Sequence, residues 1–256
     1  MFATEVNWLE KVYTSPSNLT DVGYVWRNEY AATLVESIRP LCPGNDYFID
    51  YGAGYGLFVR MMRDRGFRFH WKDPYCENLF SRGFDFDLDR VGKYRMATAF
   101  EVFEHVPNPV ETVQEIAKMA DGLLFSTTLI PPGVSTIADW DYFGLEHGQH
   151  ISFYSEDSLS RLAELTGWTY SKLSEGWHYF GEEDDLFPGA MKRLLESEWR
   201  RTLSVRILNR LGMSISRPRA VLPSSNRGLI QSDYRKLKGL WSSGKFSDAM
   251  NCDFEE

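Results

Sequence analysis

Three glycines at alternate positions, Gly52, Gly54 and Gly56, follow a short apolar run (47–49) that ends in the acid Asp50, and a helical pattern then continues to Gly66. Strand, tight turn and helix in that order open an α/β fold. Glycine suits a sharp reversal, and a ligand can lie against backbone where no Cβ intervenes. The N–H groups at the start of the helix are expected to face that ligand.

A second strand-like run, 67–71, ends near Asp73, 17 residues beyond Gly56. A carboxylate at the tip of a neighbouring parallel strand is where a ribose offers two hydroxyl donors. The glycine spacing is GxGxG, with Asp50 two residues ahead, whereas the dinucleotide fingerprint is GxGxxG; no lysine follows, so a P-loop is excluded.

This pattern resembles the first motif of the class I S-adenosylmethionine-dependent methyltransferases. The stretch YRMATAFEVFEH (94–105) is similar to the fourth strand of that family with its Glu-x-x-Glu-His ending, here Glu101, Glu104 and His105. The likeness covers about residues 46–181. It implies a Rossmann-like, seven-stranded, mostly parallel sheet of order 3-2-1-4-5-7-6, with S-adenosyl-L-methionine as cofactor and S-adenosyl-L-homocysteine as product. It also implies a cofactor site at Asp50, Gly52, Gly54, Gly56 and Asp73, with Pro74 and Tyr75 near the adenine. A third strand is expected within 83–89, placing Phe86 against the adenine ring and Asp87 near its amine. Here the chain departs from the family: the usual Gly-Asp pair is absent, and Arg95 stands where an acid commonly opens the fourth strand. Glu101 and His105 are expected at the methionine end. In the family an N-terminal segment often closes as a lid, for which Tyr24, Arg27 and Asn28 are candidates; the alternative is that the aromatics of residues 1–30 simply cover the sheet.

A chain of 256 residues, 43% apolar, can bury a full core, and a formal charge of −8 opposes broad binding to nucleic-acid phosphates. Cys42, Cys76 and Cys252 are too scattered for a disulfide framework or a zinc site. The N-terminus does not read as a signal peptide and no run is long enough to span a bilayer, so a cytoplasmic protein is expected. Arg60, Arg63, Arg65 and Arg68 read as a solvated helix face and its continuation.

The loop 134–154 follows an expected fifth strand (123–130), so that its start emerges at the same sheet edge as the glycine turn, and it carries Trp140, Tyr142, Phe143, His147 and His150. Its rings could stack on a sugar or a planar acceptor. A hydroxyl acceptor benefits from a base, so His147 or His150 is the candidate, with Asp141 or Glu146 as orienting partner or alternative base. The other reading of His150 is a backbone bond where the chain re-enters the fold. No metal is assigned: the histidine spacing suits one, but no recognisable carboxylate and cysteine pattern accompanies it.

Three regions result: an N-terminal helical or lid segment (1–45), the cofactor-binding core (46–186) and a C-terminal helical extension (187–256). The extension has an apolar stripe that can dock on the core or form a homodimer, and an arginine-rich stretch without acids (200–220). The expected activity is O-methylation of a small-molecule or glycan acceptor, the sugar resting on the likeness of GLEHGQHISFYS to loops of bacterial methyltransferase-domain proteins of surface-polysaccharide modification. Methylation of nitrogen or a carboxyl, and a cofactor-binding module without catalysis, are the alternatives; an NAD-dependent oxidoreductase is disfavoured by GxGxG.

Overall fold

The computed structural model describes residues 24–197, apart from 43, 45, 135, 137, 138 and 144–149. Six strands form one sheet: β1 (Tyr47–Tyr51), β2 (Arg68–Lys72), β3 (Met96–Phe100), β4 (Leu123–Ser126), β5 (Thr169–Ser174) and β6 (Trp177–Gly181). Their order is β2-β1-β3-β4-β6-β5. The first four run parallel, and β6 runs antiparallel to both β4 and β5. Six α-helices accompany them among the described residues: α1 (Tyr24–Glu36), α2 (Leu57–Asp64), α3 (Leu88–Val91), α4 (Pro109–Met119), α5 (Glu156–Glu164) and α6 (187–197).

Period-two alternation divides each central strand between two cores. Phe48, Met96, Leu124 and Tyr179 pack with α1, α2 and the start of α6. Their neighbours Ile49, Ala97, Leu123, Phe125 and Phe180 pack on the other face with α4 and α5. Both faces are therefore dry, as a parallel sheet requires. Local signals set the helix starts: Asn108 caps α4 with Pro109 behind it, and Ser155 forms a reciprocal capping box with Ser158 at α5.

The sheet has six strands, not seven. The expected third strand in 83–89 shrinks to one parallel bridge, Asp85 to Trp71, flanked by Trp71 N–H to Phe84 O (2.8 Å) and Phe86 N–H to Trp71 O (2.8 Å). It ends there because the Asp87 side chain accepts from the Arg90 N–H and turns the chain into α3. Without that strand, the remaining order keeps the expected sequence of neighbours, renumbered.

Two arginines expected in solvent are not there. Arg63 is 6% exposed, donates to Phe69 O (2.9 Å) and lies 3.6 Å from the centre of the Phe84 ring. Arg65 pairs with Glu29 at 2.7 Å and Glu36 at 3.7 Å, tying α2 to α1. Arg60 does pair along its own helix, with Asp64.

The apolar stripe of α6 begins on the core: Phe187, Ala190 and Met191 are buried there, and Leu194 and Leu195 pack beside them. Arg95, the departure noted at the start of β3, anchors this junction. Its guanidinium pairs with Asp185 at 3.2 Å and lies 4.1 Å from the centre of the Phe187 ring, while Asp185 also accepts from the Phe187 N–H. The arginine-rich stretch, Cys252 and the rest of the extension lie outside the described residues. No helix among the described residues is long and apolar enough to cross a membrane.

Candidate active site

The carboxyl ends of β1, β3 and β4 and the turn at 174–176 between β5 and β6 surround a cavity of about 830 Å³. Tyr24, Arg27, Asn28 and Tyr30 of α1 border it. Tyr30 also packs on Trp177 at 5.4 Å while Ala31, Leu34 and Val35 are buried, so α1 both covers the sheet and faces the cavity. Small-molecule sites fall at about 300–1,000 Å³, so a nucleotide-sized ligand and part of an acceptor fit.

Gly52, Gly54 and Gly56 all adopt positive φ (70°, 53° and 83°). A Cβ on Gly52 would lie 2.6 Å from Val102 Cγ2, and one on Gly56 would lie 2.5 Å from Ser81 Oγ. These two glycines thus satisfy the protein's own packing as well as the turn, and Gly56 is outside the cavity lining. The turn's N–H groups are also used internally. Gly52 and Ala53 donate to Lys72 O, Gly54 donates to Asp73 Oδ2 (2.8 Å) and Gly56 donates to Ala53 O. Of the N–H groups expected to face a ligand from the helix start, that of Gly56 is thus used internally, and a turn whose other donors are so occupied is a poor phosphate cradle.

What the cavity offers instead is carboxyl groups. Asp50, Asp73, Glu101, Glu104 and Glu175 line it, with Arg27 the one arginine among the described lining residues. Asp73 also accepts from Tyr75 N–H (2.8 Å) and Cys76 N–H (3.0 Å), so three backbone donors occupy its carboxylate. About one of its roughly four lone-pair directions is left, enough for one ribose hydroxyl rather than two. Asp50 is buried and accepts from Thr98 Oγ1 at 2.6 Å. Burial pushes its carboxyl up to about 7; Thr98 opposes the shift and the charge of Asp73 adds to it.

Pro74 and Tyr75 border the cavity, whereas Phe86 and Asp87 do not. Phe86 stacks on Tyr94 at 6.1 Å and sits under Lys72 Nζ at 4.7 Å, and Asp87 caps α3. The missing third strand explains this: without a ladder beyond the bridge at Asp85, nothing carries these two side chains back to the sheet edge.

A second polar group gathers where β3 ends. Glu101 is the one non-glycine residue with positive φ (53°) among those described. Its backbone N–H donates to Ser126 Oγ (2.9 Å), and that hydroxyl donates to Glu101 Oε1 (2.6 Å). Such conformations cost on the order of 1 kcal/mol or more and cluster at functional sites. The 3₁₀ turn Phe103–His105 then turns Glu104 into the protein, at 0% exposure, and leaves His105 at the cavity. Tyr142 OH donates to Glu104 Oε1 at 2.8 Å; Oε2 is buried with no hydrogen-bond partner among the described residues. Burial, reinforced by the charge of Glu101, pushes Glu104 up to about 8. The Thr127 hydroxyl is near enough to ease that charge but makes no hydrogen bond with it.

His150 lines the cavity 5.0 Å from the His105 ring, and its Nδ1 lies 2.5 Å from Tyr142 O. A carbonyl only accepts, so Nδ1 carries the proton and Nε2 the lone pair. His150 thus makes the backbone bond and still faces the cavity. His147 and Glu146 lie outside the described residues, as does the side chain of Asp141. The aromatic loop departs from expectation: Trp140 and Phe143 pack on Phe153 (5.7 and 4.9 Å), away from the cavity. Rings that do border it include Tyr30, Tyr75 and Trp177. Glu104, Ser126 and Trp177 escaped the sequence reading as site residues. Glu104 alone carried a signal, being a carboxylate between the apolar Phe103 and the family's histidine.

A mixed α/β sheet with a glycine turn over an acid-lined cleft at its carboxyl edge defines the class, the S-adenosylmethionine-dependent methyltransferases. The chain belongs to the methyltransferase domain family, matched over residues 25–173. Among solved structures it is similar to magnesium protoporphyrin IX methyltransferase from Synechocystis PCC 6803 with bound SAH (14% identity, 70% of this chain, 94% of that one, TM-score 0.41). It is also similar to CalO1, a methyltransferase in calicheamicin biosynthesis in its SAH-bound form (13% identity, 60% and 54%, TM-score 0.43). An O-methyltransferase family protein from Burkholderia thailandensis is a third (12% identity, 70% and 69%, TM-score 0.43). The chain thus spans about half the length of CalO1. No curated protein matches it.

Proposed function

We propose that this methyltransferase acts on a hydroxyl of a small acceptor, with sugars and glycans the first compounds to test. The observation that carries the reading is the pairing of an acid-lined cleft, suited to a cationic cofactor, with a buried Glu–Tyr–His group beside it. S-adenosylmethionine supplies a methyl carbon on a positive sulfur: the acceptor oxygen's lone pair forms the new O–C bond, the C–S pair returns to sulfur, and the hydroxyl proton needs a base.

Carboxylates suit the ammonium and sulfonium of that molecule. Asp73 takes a ribose hydroxyl, Gly52 and Gly54 pass beside the amino-acid portion, and Pro74 and Tyr75 border the adenine. Glu101 and His105 stand at the methionine end, and Arg27 closes from α1. His150, with its lone pair on Nε2, is a described residue placed to accept the acceptor's proton, with His147 and Asp141 as the other candidates. Holding oxygen, carbon and sulfur in line is the larger part of the work.

Calorimetry with S-adenosylhomocysteine, followed by its release in the presence of a panel of hydroxylated acceptors, tests this. Binding and turnover are expected, with His150→Ala lowering kcat about 10²-fold or more. No heat with the cofactor or its product would remove the reading. Turnover restricted to amine or carboxyl acceptors would replace the hydroxyl, and binding without any turnover would leave a cofactor-binding module. A homodimer through the C-terminal helices is part of the same proposal, tested by sedimentation.

A further inference from the structure

We infer that Glu104, His105 and His150 form a site for a divalent cation that receives the acceptor hydroxyl. This rests on the methyltransferase reading for its role, though not for its existence. One ligand atom from each residue lies within 4.8 Å of the other two. Ligands about 2.1 Å from an ion stand no more than about 4.2 Å apart, so the three need to close by only about half an ångström.

The strongest indication is Glu104 Oε2, a fully buried carboxylate oxygen with no hydrogen-bond partner among the described residues. If the carboxyl is charged, that oxygen lacks a donor or counter-charge; if protonated there, its proton lacks an acceptor. A cation answers the first and makes the second unnecessary. The neighbouring oxygen is already held by Tyr142 OH, which fixes the carboxylate's orientation. His150 carries the matching feature, because Nδ1–H donation to Tyr142 O leaves Nε2 as the ligating nitrogen. An imidazole tied through its other nitrogen to a backbone carbonyl is the usual arrangement of a metal ligand. Tyr142 therefore orients two of the three ligands, one through its hydroxyl and one through its carbonyl. Glu101 adds negative charge next to the site from its strained backbone position.

Two imidazoles and a carboxylate suit Mn²⁺, Fe²⁺, Co²⁺ or Zn²⁺ and leave coordination positions open. The cavity lies on that side, since His105 and His150 both line it. An acceptor oxygen bound there loses its proton to solvent more readily and presents its lone pair to the methyl carbon. In that case His150 acts as a ligand and not as the base.

The full chain is stripped with EDTA and titrated with Mn²⁺, read by calorimetry and by electron paramagnetic resonance of the free ion. Mn²⁺ is chosen because the thiols of Cys42, Cys76 and Cys252 compete poorly for it. One ion per chain is expected. Glu104→Gln, His105→Gln and His150→Ala should each weaken binding at least about tenfold, given that even outer partners of metal ligands cost about 10–100-fold. Circular dichroism and thermal melts report whether each variant is folded, and His105→Gln, at a half-buried position, keeps the test valid if Glu104→Gln is not. Stoichiometric binding lost in the variants, with EDTA-sensitive turnover restored by Mn²⁺, supports the assignment. No binding of Mn²⁺, or binding unchanged in the folded variants, overturns it, and full turnover in EDTA would then leave the methyltransferase reading standing without a metal. Binding with no turnover on any hydroxyl acceptor would keep the site and remove its role.

Discussion

Asp50→Asn isolates the cost of burying a carboxyl at the end of β1. The folded chain holds this group at about 7 against 3.8 for the unfolded one, chiefly by burial. An acid raised on folding keeps a proton that the unfolded chain has already released, so stability falls as pH rises between those values and levels off above the higher one. From about pH 5.5 to about pH 8 the two titration curves differ by roughly 2 kcal/mol. For a domain of this size that corresponds to a melting shift of about 4–8 °C. Asparagine keeps the shape and the Thr98 hydrogen bond but cannot titrate. Calorimetric melts of both proteins at the two pH values should show the variant gaining about that much on the parent as pH rises. A parent-to-variant difference that stays the same at both pH values would mean that Asp50 ionises normally in the folded chain.

Gly52→Ala should destabilise by more than about 1 kcal/mol and weaken S-adenosylhomocysteine binding, because φ is 70° and its Cβ meets Val102; Gly52→Ala with Val102→Ala should recover part of the melting loss. Arg63→Met should cost about 2–3 kcal/mol in urea denaturation by removing a charged donor to Phe69 O and the contact with Phe84, whereas a solvated arginine would cost about 0.5 kcal/mol or less. Tyr142→Phe should cost about 1–3 kcal/mol, read from the urea midpoint, by leaving Glu104 Oε1 without its donor. Arg95→Met should open the junction with α6, leaving Asp185 buried without its cation, and limited proteolysis should then cut near residues 182–187 sooner.

Much of the scaffold could be read directly from the chain because the features involved are local. The stretch 94–105 yields a strand at Met96–Phe100 and the glycines at 52–56 join β1 to α2 as expected, and Ser155 caps α5. These depend on alternation, glycine and short polar side chains, each of which acts within a few residues. The failures share a different cause. Phe84 and Phe86 alternate like a strand, but a ladder also needs a partner, and Trp71 supplies one bridge only. Arg63 reads as solvent-facing until the Phe69 carbonyl and the Phe84 ring come together around it. Glu104 reads as part of a family ending, and its inward turn follows from the 3₁₀ geometry at Phe103–His105. Asp73 was legible as an acid at a strand tip, while the three backbone donors that engage it belong to a turn whose shape no spacing records.

The shortened sheet has one more consequence, at its rims. On one side β2 ends in Arg68 and Lys72, basic residues held over the rings of Tyr47 and Phe86. On the other, β5 is interrupted by an irregularity between Lys172 and Ser174, and Lys172 is pinned by Glu156 and Glu175. Charge and a broken register are the features that stop an open strand from zipping onto a sister molecule. Among the described residues, both rims of the shortened sheet thus carry features that oppose edge-to-edge pairing.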